Sequence, residues 1–354
     1  MNELTVHPDV YSTGAATGLV DLLTTVWTAG PDAVSGALHI ISGFGNYNGG
    51  VRFFDIFRRH IVNGGSVSAL FAGSASARLT SRQLVEELLQ CGVKVTVVNR
   101  KRLLHAKAYG RSCETGDTII VSSGNFTGPG MTQNIELAVL LDEFTTARMG
   151  FRWNDLEASM RTQSWDYYTP ELSDPESPAW VMLYDEVGTV VPVDESELLS
   201  MVLILGHADT ARINAVRGDR AARGTQYFWL SKDCFAFFPA LTIRNERGRK
   251  ATYSCMINMM YVDLNVMDEV RVTFEAENNL DFRLGTGKLR STGLASEGDM
   301  AVLTRRGERD YELRLLRQGT RQFESLRPYA THFIGHVGKK FGYLPNGIVD
   351  ALLQ

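Results

Sequence analysis

The sequence predicts two folded domains in tandem, an α/β domain followed by an all-β domain. Three observations predict this order. Strand-like apolar runs alternate with helix-spaced ones as far as residue 164. Residues 162–211 then hold no Lys or Arg against ten Asp and Glu, with Pro170, Pro175, Pro178 and Pro192 among them, which marks a boundary. From about residue 200 the pattern turns to short apolar strands divided by turns, the mark of an all-β barrel. A chain of 354 residues that is 44% apolar has enough material for two cores.

In the first part, residues 18–30 have apolar side chains at helical spacing, and residues 38–44 (LHIISGF) read as a buried strand. A helix over VRFFDIFRRHIV ends in a glycine pair suited to a C-terminal cap. SVSALFAG (66–73) and VKVTVVN (93–99) are strands; between them Thr80-Ser81-Arg82 opens a helix that another glycine stops. Three more strands are expected over 105–142, and one helix over 145–164 closes the unit. Beyond the connector the expected strands are MVLILGH, TQYFWLS, ALTIRN, TYSCMINMMY, VRVTFEAE, LRSTG, MAVLTRR, YELRLLR and THFIGHV, with a turn or two of helix in the tail GIVDALL. Expected boundaries are 1–168, 169–199 and 200–354.

The net charge of −4 is unevenly spread. Residues 1–161 hold 14 basic and 14 acidic side chains, whereas residues 212–354 hold 22 basic and 16 acidic ones. A polyanion is therefore expected on the C-terminal block. No apolar run approaches a membrane span, and MNELTVHPDV lacks the pattern of a secretory signal. Cys91, Cys113, Cys234 and Cys255 form no C-x-x-C pair, which fits reduced thiols in a cytoplasm and argues against a zinc site or a disulfide framework.

The chemistry gathers in residues 105–136. Read as strands, His105 and Lys107 share one face and Ser123 and Asn125 another pair of like-facing positions, because side chains repeat every second residue. With Glu136, these supply a nucleophile, a cation, donors for developing phosphate charge and a carboxylate, a set suited to phosphodiester chemistry without a metal ion or other cofactor. A lone histidine is more often structural; the downstream Ser123, Asn125 and Glu136 reverse that expectation. None of the eight lysines has an acid two residues before it, and no H-E-x-x-H occurs, so a metal-dependent nuclease is disfavoured. Gly287-Lys288 lacks the flanking residues of a phosphate loop.

The series His-x-Lys, Ser-x-Asn and Glu resembles the active-site signature of the phospholipase D superfamily. Almost the whole chain is similar to the BfiI-type restriction endonucleases, through ISGFGNYNGGVRF, RLLHAKAYG, VSSGNFTGPGMTQNIE, LGHADTARI, GTQYFWLSKD and TFEAENNLDFRLGTGKLR. The resemblance implies an α/β phospholipase D-like nuclease and dimerisation domain followed by a B3-like pseudobarrel that binds double-stranded DNA. It implies a histidine nucleophile that forms a phosphohistidine, with Lys107, Ser123 and Asn125 on the phosphate and Glu136 holding the His105 ring. Such chemistry needs a second histidine to protonate the leaving oxygen. The other histidines, His7, His39, His60, His207, His332 and His336, lack a lysine two positions later. A homodimer with one composite site on its twofold axis is expected. Its histidine pair should titrate as a coupled unit, and an ordinary pKa of ~6.5 predicts a bell-shaped pH profile. One site also implies sequential nicking of the two strands. The superfamily's usual aspartate after His-x-Lys is absent, which weakens a lipid substrate more than a nucleic-acid one.

The same resemblance implies two DNA-gripping arms. One carries Arg212, Arg217, Arg220, Arg223, Thr225, Gln226 and Trp229, the other Asn279, Asp281, Arg283, Lys288 and Arg290, with Arg247 and Lys340 as further contacts. Arg suits guanine, Asn adenine and Asp the cytosine amino group, while the remaining cations suit phosphates. Trp229 fits barrel core as well as a DNA contact. The acidic segment 169–199 reads either as a solvated linker or, as the resemblance implies, as a restraint over the nuclease groove. The function expected is a metal-independent, type IIS-like restriction endonuclease, accompanied in its cell by a cognate DNA methyltransferase. A phospholipase D-like phosphodiesterase acting on lipid or nucleotide, and a non-catalytic DNA-binding regulator, are the alternatives.

Overall fold

The computed structural model describes residues 3–7, 18–28, 36–99, 104–161, 167–188, 198–220, 223–232, 234–247, 250–275, 282–334 and 339–354. They divide into two compact units, one holding the described residues up to 188 and one those from 198 on.

The first unit runs β1 (Glu3–His7), α1 (Leu19–Thr28), β2 (Ala37–Ser42), α2 (Tyr47–Gly50), α3 (Phe54–Val62), β3 (Ser66–Gly73), α4 (Arg82–Gln90), β4 (Lys94–Asn99), β5 (Lys107–Cys113), β6 (Gly116–Ser122), α5 (Gly128–Thr132), β7 (Glu136–Leu141), α6 (Glu143–Met149), α7 (Trp153–Arg161), β8 (Tyr167–Tyr168) and α8 (Pro178–Val181). Its eight-stranded sheet has the order β1-β7-β6-β5-β2-β3-β4-β8. Strands β2, β3 and β4 are parallel, and β5, β6 and β7 run antiparallel to their neighbours. The parallel strands read as continuous apolar runs because helices cover both faces. Trp27 of α1 donates Nε1–H to Gly110 O at 3.0 Å on one face. On the other, Trp153 of α7 donates to Thr118 O at 2.8 Å.

Local chemistry accounts for the elements. Ser81 caps α4, accepting from Leu84 N at 3.2 Å, and Leu84, Val85 and Leu88 bury one stripe of that helix. The single helix expected over 145–164 is two, because Gly150 adopts a left-handed backbone (φ +68°) and ends α6 before Trp153 begins α7. Part of the acidic connector belongs to this unit. Trp180 and Leu183 are buried, Tyr184 pairs with Ser81, and the Arg82 guanidinium lies 5.4 Å from the Trp180 ring. Asp185 accepts from Gln83 at 2.6 Å, and Glu186 accepts from the Tyr47 amide at 2.9 Å.

The second unit contains β9 (Leu199–Ile204), α9 (His207–Thr210), β10 (Tyr227–Leu230), β11 (Ile243–Arg247), β12 (Lys250–Tyr261), β13 (Val266–Glu275), β14 (Phe282–Gly285), β15 (Met300–Arg305), β16 (Asp310–Leu316), α10 (Arg321–Leu326), β17 (His332–Phe333), β18 (Lys340–Pro345) and α11 (Asn346–Leu353). Ten strands form one sheet in the order β10-β14-β13-β12-β16-β15-β9-β18-β17, with β11 on β12. Leu289 of the expected strand LRSTG lies instead in a 3-10 turn at Gly287–Leu289, and the residues after it bond to Arg212 and Ile213 by single backbone hydrogen bonds without a ladder. Helix α10, not foreseen, is capped by Thr320, and its Phe323 and Leu326 pack with Val202, Val302 and Val349.

Candidate active site and nucleic-acid interface

His105 and Lys107 stand where β5 begins, beside the end of β2, since Lys107 pairs with Ser42. The chain runs close here: a Cβ on Gly43 would meet Leu104 O at 2.7 Å. His105 is exposed, with Phe44 edge-on at 6.3 Å between ring centroids. The Lys107 ammonium lies 3.2 Å from Nδ1 and 3.1 Å from Nε2 of that ring, so it favours neither nitrogen. Burial lowers the Lys107 pKa from the ordinary lysine value, and the charge of Glu136 opposes the shift.

Ser123 and Asn125 follow β6, and Glu136 opens β7. Ser123 donates its hydroxyl to Glu136 and accepts from Leu137 N at 3.0 Å. Asn134 Nδ2 donates to the other Glu136 oxygen at 3.1 Å. Among the described residues Glu136 thus engages Ser123 and Asn134, and not the His105 ring it was expected to hold, because its two oxygens face the β6–β7 end. Asn125 keeps its Oδ1 buried and without a hydrogen-bond partner.

Tyr109 was not singled out from the sequence. Fully buried two residues beyond Lys107, its hydroxyl donates to Gly124 O at 2.8 Å and fixes the peptide between Ser123 and Asn125. Ser42 reinforces the same loop by accepting from Phe126 N at 2.9 Å. Gly128-Pro129-Gly130 lies in the short helix α5, where Thr127 caps Gly130 N at 3.2 Å and Asn46 Oδ1 caps Gly128 N at 2.9 Å. Among the described residues no three His, Cys, Asp or Glu side chains gather in a way that could hold a metal ion.

In the second unit the two segments expected to act as arms are joined by backbone hydrogen bonds. Ser291 N donates to Arg212 O at 2.9 Å, Gly293 N to Ile213 O at 3.0 Å, and Thr286 N to Gln226 O at 3.0 Å. The Arg283 guanidinium lies 5.5 Å from both the Tyr227 and Trp229 rings, with Arg212 on Tyr227 at 5.8 Å. Glu275 approaches Arg283 at 3.6 Å. Trp229 therefore belongs to a half-exposed cation–aromatic ladder, outside the barrel core. Thr225, Arg217, Arg220 and Arg223 are exposed, and Lys288 stands 3.8 Å from Asp268. Gln226 is buried: its amide donates to Asp209 O at 2.7 Å, so it serves the fold and is not presented to DNA. Lys340 is half-buried at the start of β18. Arg247 ends β11, and nothing more is described of its side chain; Asn279 and Asp281 lie outside the described residues.

Comparison with known proteins gives the following. No curated protein matches the chain. Solved structures similar to it include the phospholipase D family member Nuc from Salmonella typhimurium, at 15% identity and a TM-score of 0.34, covering 48% of this chain and 99% of that one. NucT from Helicobacter pylori is 12% identical with a TM-score of 0.33, covering 46% of this chain and 95% of that one. Polyphosphate kinase from Porphyromonas gingivalis is 16% identical with a TM-score of 0.31, covering 45% of this chain and 22% of that one. Residues 193–353 match the family described as the metal-independent restriction enzyme BfiI DNA binding domain, and that part of the chain is similar to this domain.

Proposed function

We propose that the chain is a BfiI-like DNA endonuclease that cleaves phosphodiesters without a metal ion. The observation that carries this reading is the match of residues 193–353 to a restriction-enzyme DNA-binding domain, joined in one chain to the His105, Lys107, Ser123, Asn125 and Glu136 cluster. A lipid or nucleotide phosphodiesterase would leave that C-terminal match and the basic arms without a role.

A His105 nitrogen attacks phosphorus and the bridging P–O bond breaks, leaving a phosphohistidine. The departing oxygen takes a proton from the partner subunit's His105. Water then attacks the phosphohistidine phosphorus, giving a proton back to the partner subunit's His105, and the P–N bond breaks to restore the imidazole. Lys107 and Asn125 bind the non-bridging oxygens, and Ser123 and Glu136 hold the loop that presents them. Two chains share this site. Val121, Ile135 and Leu137 support the pairing, since these apolar side chains stand exposed beside Ser123 and Glu136, Ile135 at 83%. The second unit acts as a B3-like pseudobarrel on an asymmetric duplex site, and the nuclease cuts at a fixed short distance in the manner of type IIS enzymes. A cognate methyltransferase protects the host DNA in the cytoplasm. The Glu186 contact to Tyr47 supports a restraining role for the acidic segment 169–199, which neutralising its exposed carboxylates would test by raising cleavage of non-cognate DNA.

Incubation of duplex DNA with the purified chain in EDTA tests the reading. Cleavage is expected, and His105→Ala should abolish it while specific binding persists. Activity that appears only when magnesium is added would overturn it.

A further inference from the structure

A second feature on the same edge of the first unit takes no part in the chemistry above. Across the sheet, Lys107 pairs with Ser42 and Ser42 with Phe71, so Phe71, two residues before the end of β3, lies two strands, about 10 Å, from Lys107. The loop that leaves β3 there is Ser74-Ala75-Ser76-Ala77-Arg78. Its turn is closed by Arg78 N on Ala75 O at 3.0 Å and Leu79 N on Ser74 O at 3.2 Å. The hydroxyls of Ser74 and Ser76 lie 3.3 Å apart, and Ser76 is exposed. Leu79 O in turn holds Gly45 N at 2.8 Å, next to the Phe44 that packs on His105.

Arg78 itself is unusual in two independent ways. Its φ is +48°, a conformation that costs a residue with a Cβ and persists where surrounding structure and function retain it. Its guanidinium lies 4.6 Å from the Tyr184 ring, yet Nη1 is buried with no hydrogen-bond partner. Arg52, Arg58 and Arg82 of the same unit all have carboxylate partners. Among the described residues none stands within ion-pair distance of Arg78. A cation over a ring, with one donor unspent and two small hydroxyl residues earlier in the same loop, is equipped for a phosphate.

We propose that the Ser74–Arg78 loop is a second phosphate site, which grips a backbone phosphate of the DNA strand next to the one cleaved. The loop leaves a different strand of the sheet from the one that carries Lys107, so it would meet a phosphate other than the scissile one. Tyr184 acts as a positioning residue that orients the guanidinium. The inference rests on the nuclease reading of the first unit.

Its test reads binding and needs no cleavage. In the full chain carrying His105→Ala, affinity for a fluorescent duplex of random sequence is measured across a salt series, with and without Arg78→Gly. Glycine removes the cation while relieving the left-handed backbone, so a loss of binding cannot come from strain. The slope of log affinity on log salt should become shallower by about 1, as for one lost phosphate contact. Arg78→Lys should keep the slope, and the thermal midpoint of Arg78→Gly should not fall. An unchanged slope in Arg78→Gly, or a slope change accompanied by a lowered midpoint, would sink the proposal. If the chain with His105 intact binds DNA but does not cut it, the function reading falls and the salt slope still judges the loop.

Discussion

Asp209 and Lys339 form a buried ion pair, with Nζ 2.6 Å from Oδ2, which joins α9 to the residue that precedes β18. The pair is well saturated. Asp209 also accepts from Gly206 N at 2.7 Å and Trp229 N at 2.8 Å, and Lys339 donates to Trp229 O at 2.7 Å. Removing one partner leaves the other charge dry and uncompensated. Lys339→Met should therefore destabilise the second unit by about 3–5 kcal/mol. Adding Asp209→Asn should recover part of that loss, since the neutral amide still accepts one hydrogen bond. Urea unfolding of the three variants checks it, and a double variant less stable than Lys339→Met alone would contradict the pairing.

Tyr109→Phe keeps the buried ring and deletes one hydroxyl. Gly124 O then loses its donor inside the protein, at a stability cost of about 1–3 kcal/mol. The larger effect should fall on catalysis, because the freed peptide carries Ser123 on one side and Asn125 on the other. Single-turnover cleavage should slow by about tenfold or more, given the sensitivity of rate to small misplacements. Wild-type turnover at reduced stability would show that the loop is held by other means, such as the Ser42 contact to Phe126.

Much of this was legible in residue order. Strands β2, β3 and β4 and helix α4 follow from apolar runs and the Ser81 cap, and the alternation that paired His105 with Lys107 extends to Tyr109. What could not be read depends on meetings between distant segments. Nothing local says that Gln226 turns inward to Asp209 O, since a glutamine in a basic, polar stretch looks equally suited to a base edge. The pairing of Glu136 with Ser123 and Asn134 depends on how the β6–β7 end closes. Gly150 was visible as a residue, but its left-handed turn inside a helix-spaced run shows only when both flanking helices have sheet to pack on.

The lowered pKa of Lys107 has a consequence for the pH profile. Phosphate binding needs the ammonium charged, so DNA binding by the His105→Ala chain, which removes the titrating histidines from the readout, should show an alkaline limb below the ordinary lysine value of 10.5. Glu136 favours the charged form by attraction. Adding Glu136→Gln removes that attraction, so this limb of binding should move to lower pH. A limb that stays in place or moves upward would show that Lys107 does not set it.

Glu157 ties α7 to the sheet through His39. The carboxylate lies 2.8 Å from His39 Nδ1 and accepts from Ser68 Oγ at 3.0 Å, while His39 Nε2 meets Ser112 Oγ at 3.0 Å. The imidazole is stacked on Trp153, with centroids 4.6 Å apart and planes 4° from parallel. The hydrogen bond from His39, foremost, holds the Glu157 carboxyl below its ordinary pKa of 4.5. Between that lowered value and the ordinary one, the unfolded chain binds more protons than the folded one. Stability from this group is thus fully present above the ordinary value and is lost as pH falls through the lowered one. Glu157→Gln cannot titrate, so its stability should be lower at neutral pH but fall less steeply between about pH 5 and pH 3. Urea midpoints of both proteins across that range decide the matter: parallel curves would mean that the carboxylate contributes nothing beyond its shape.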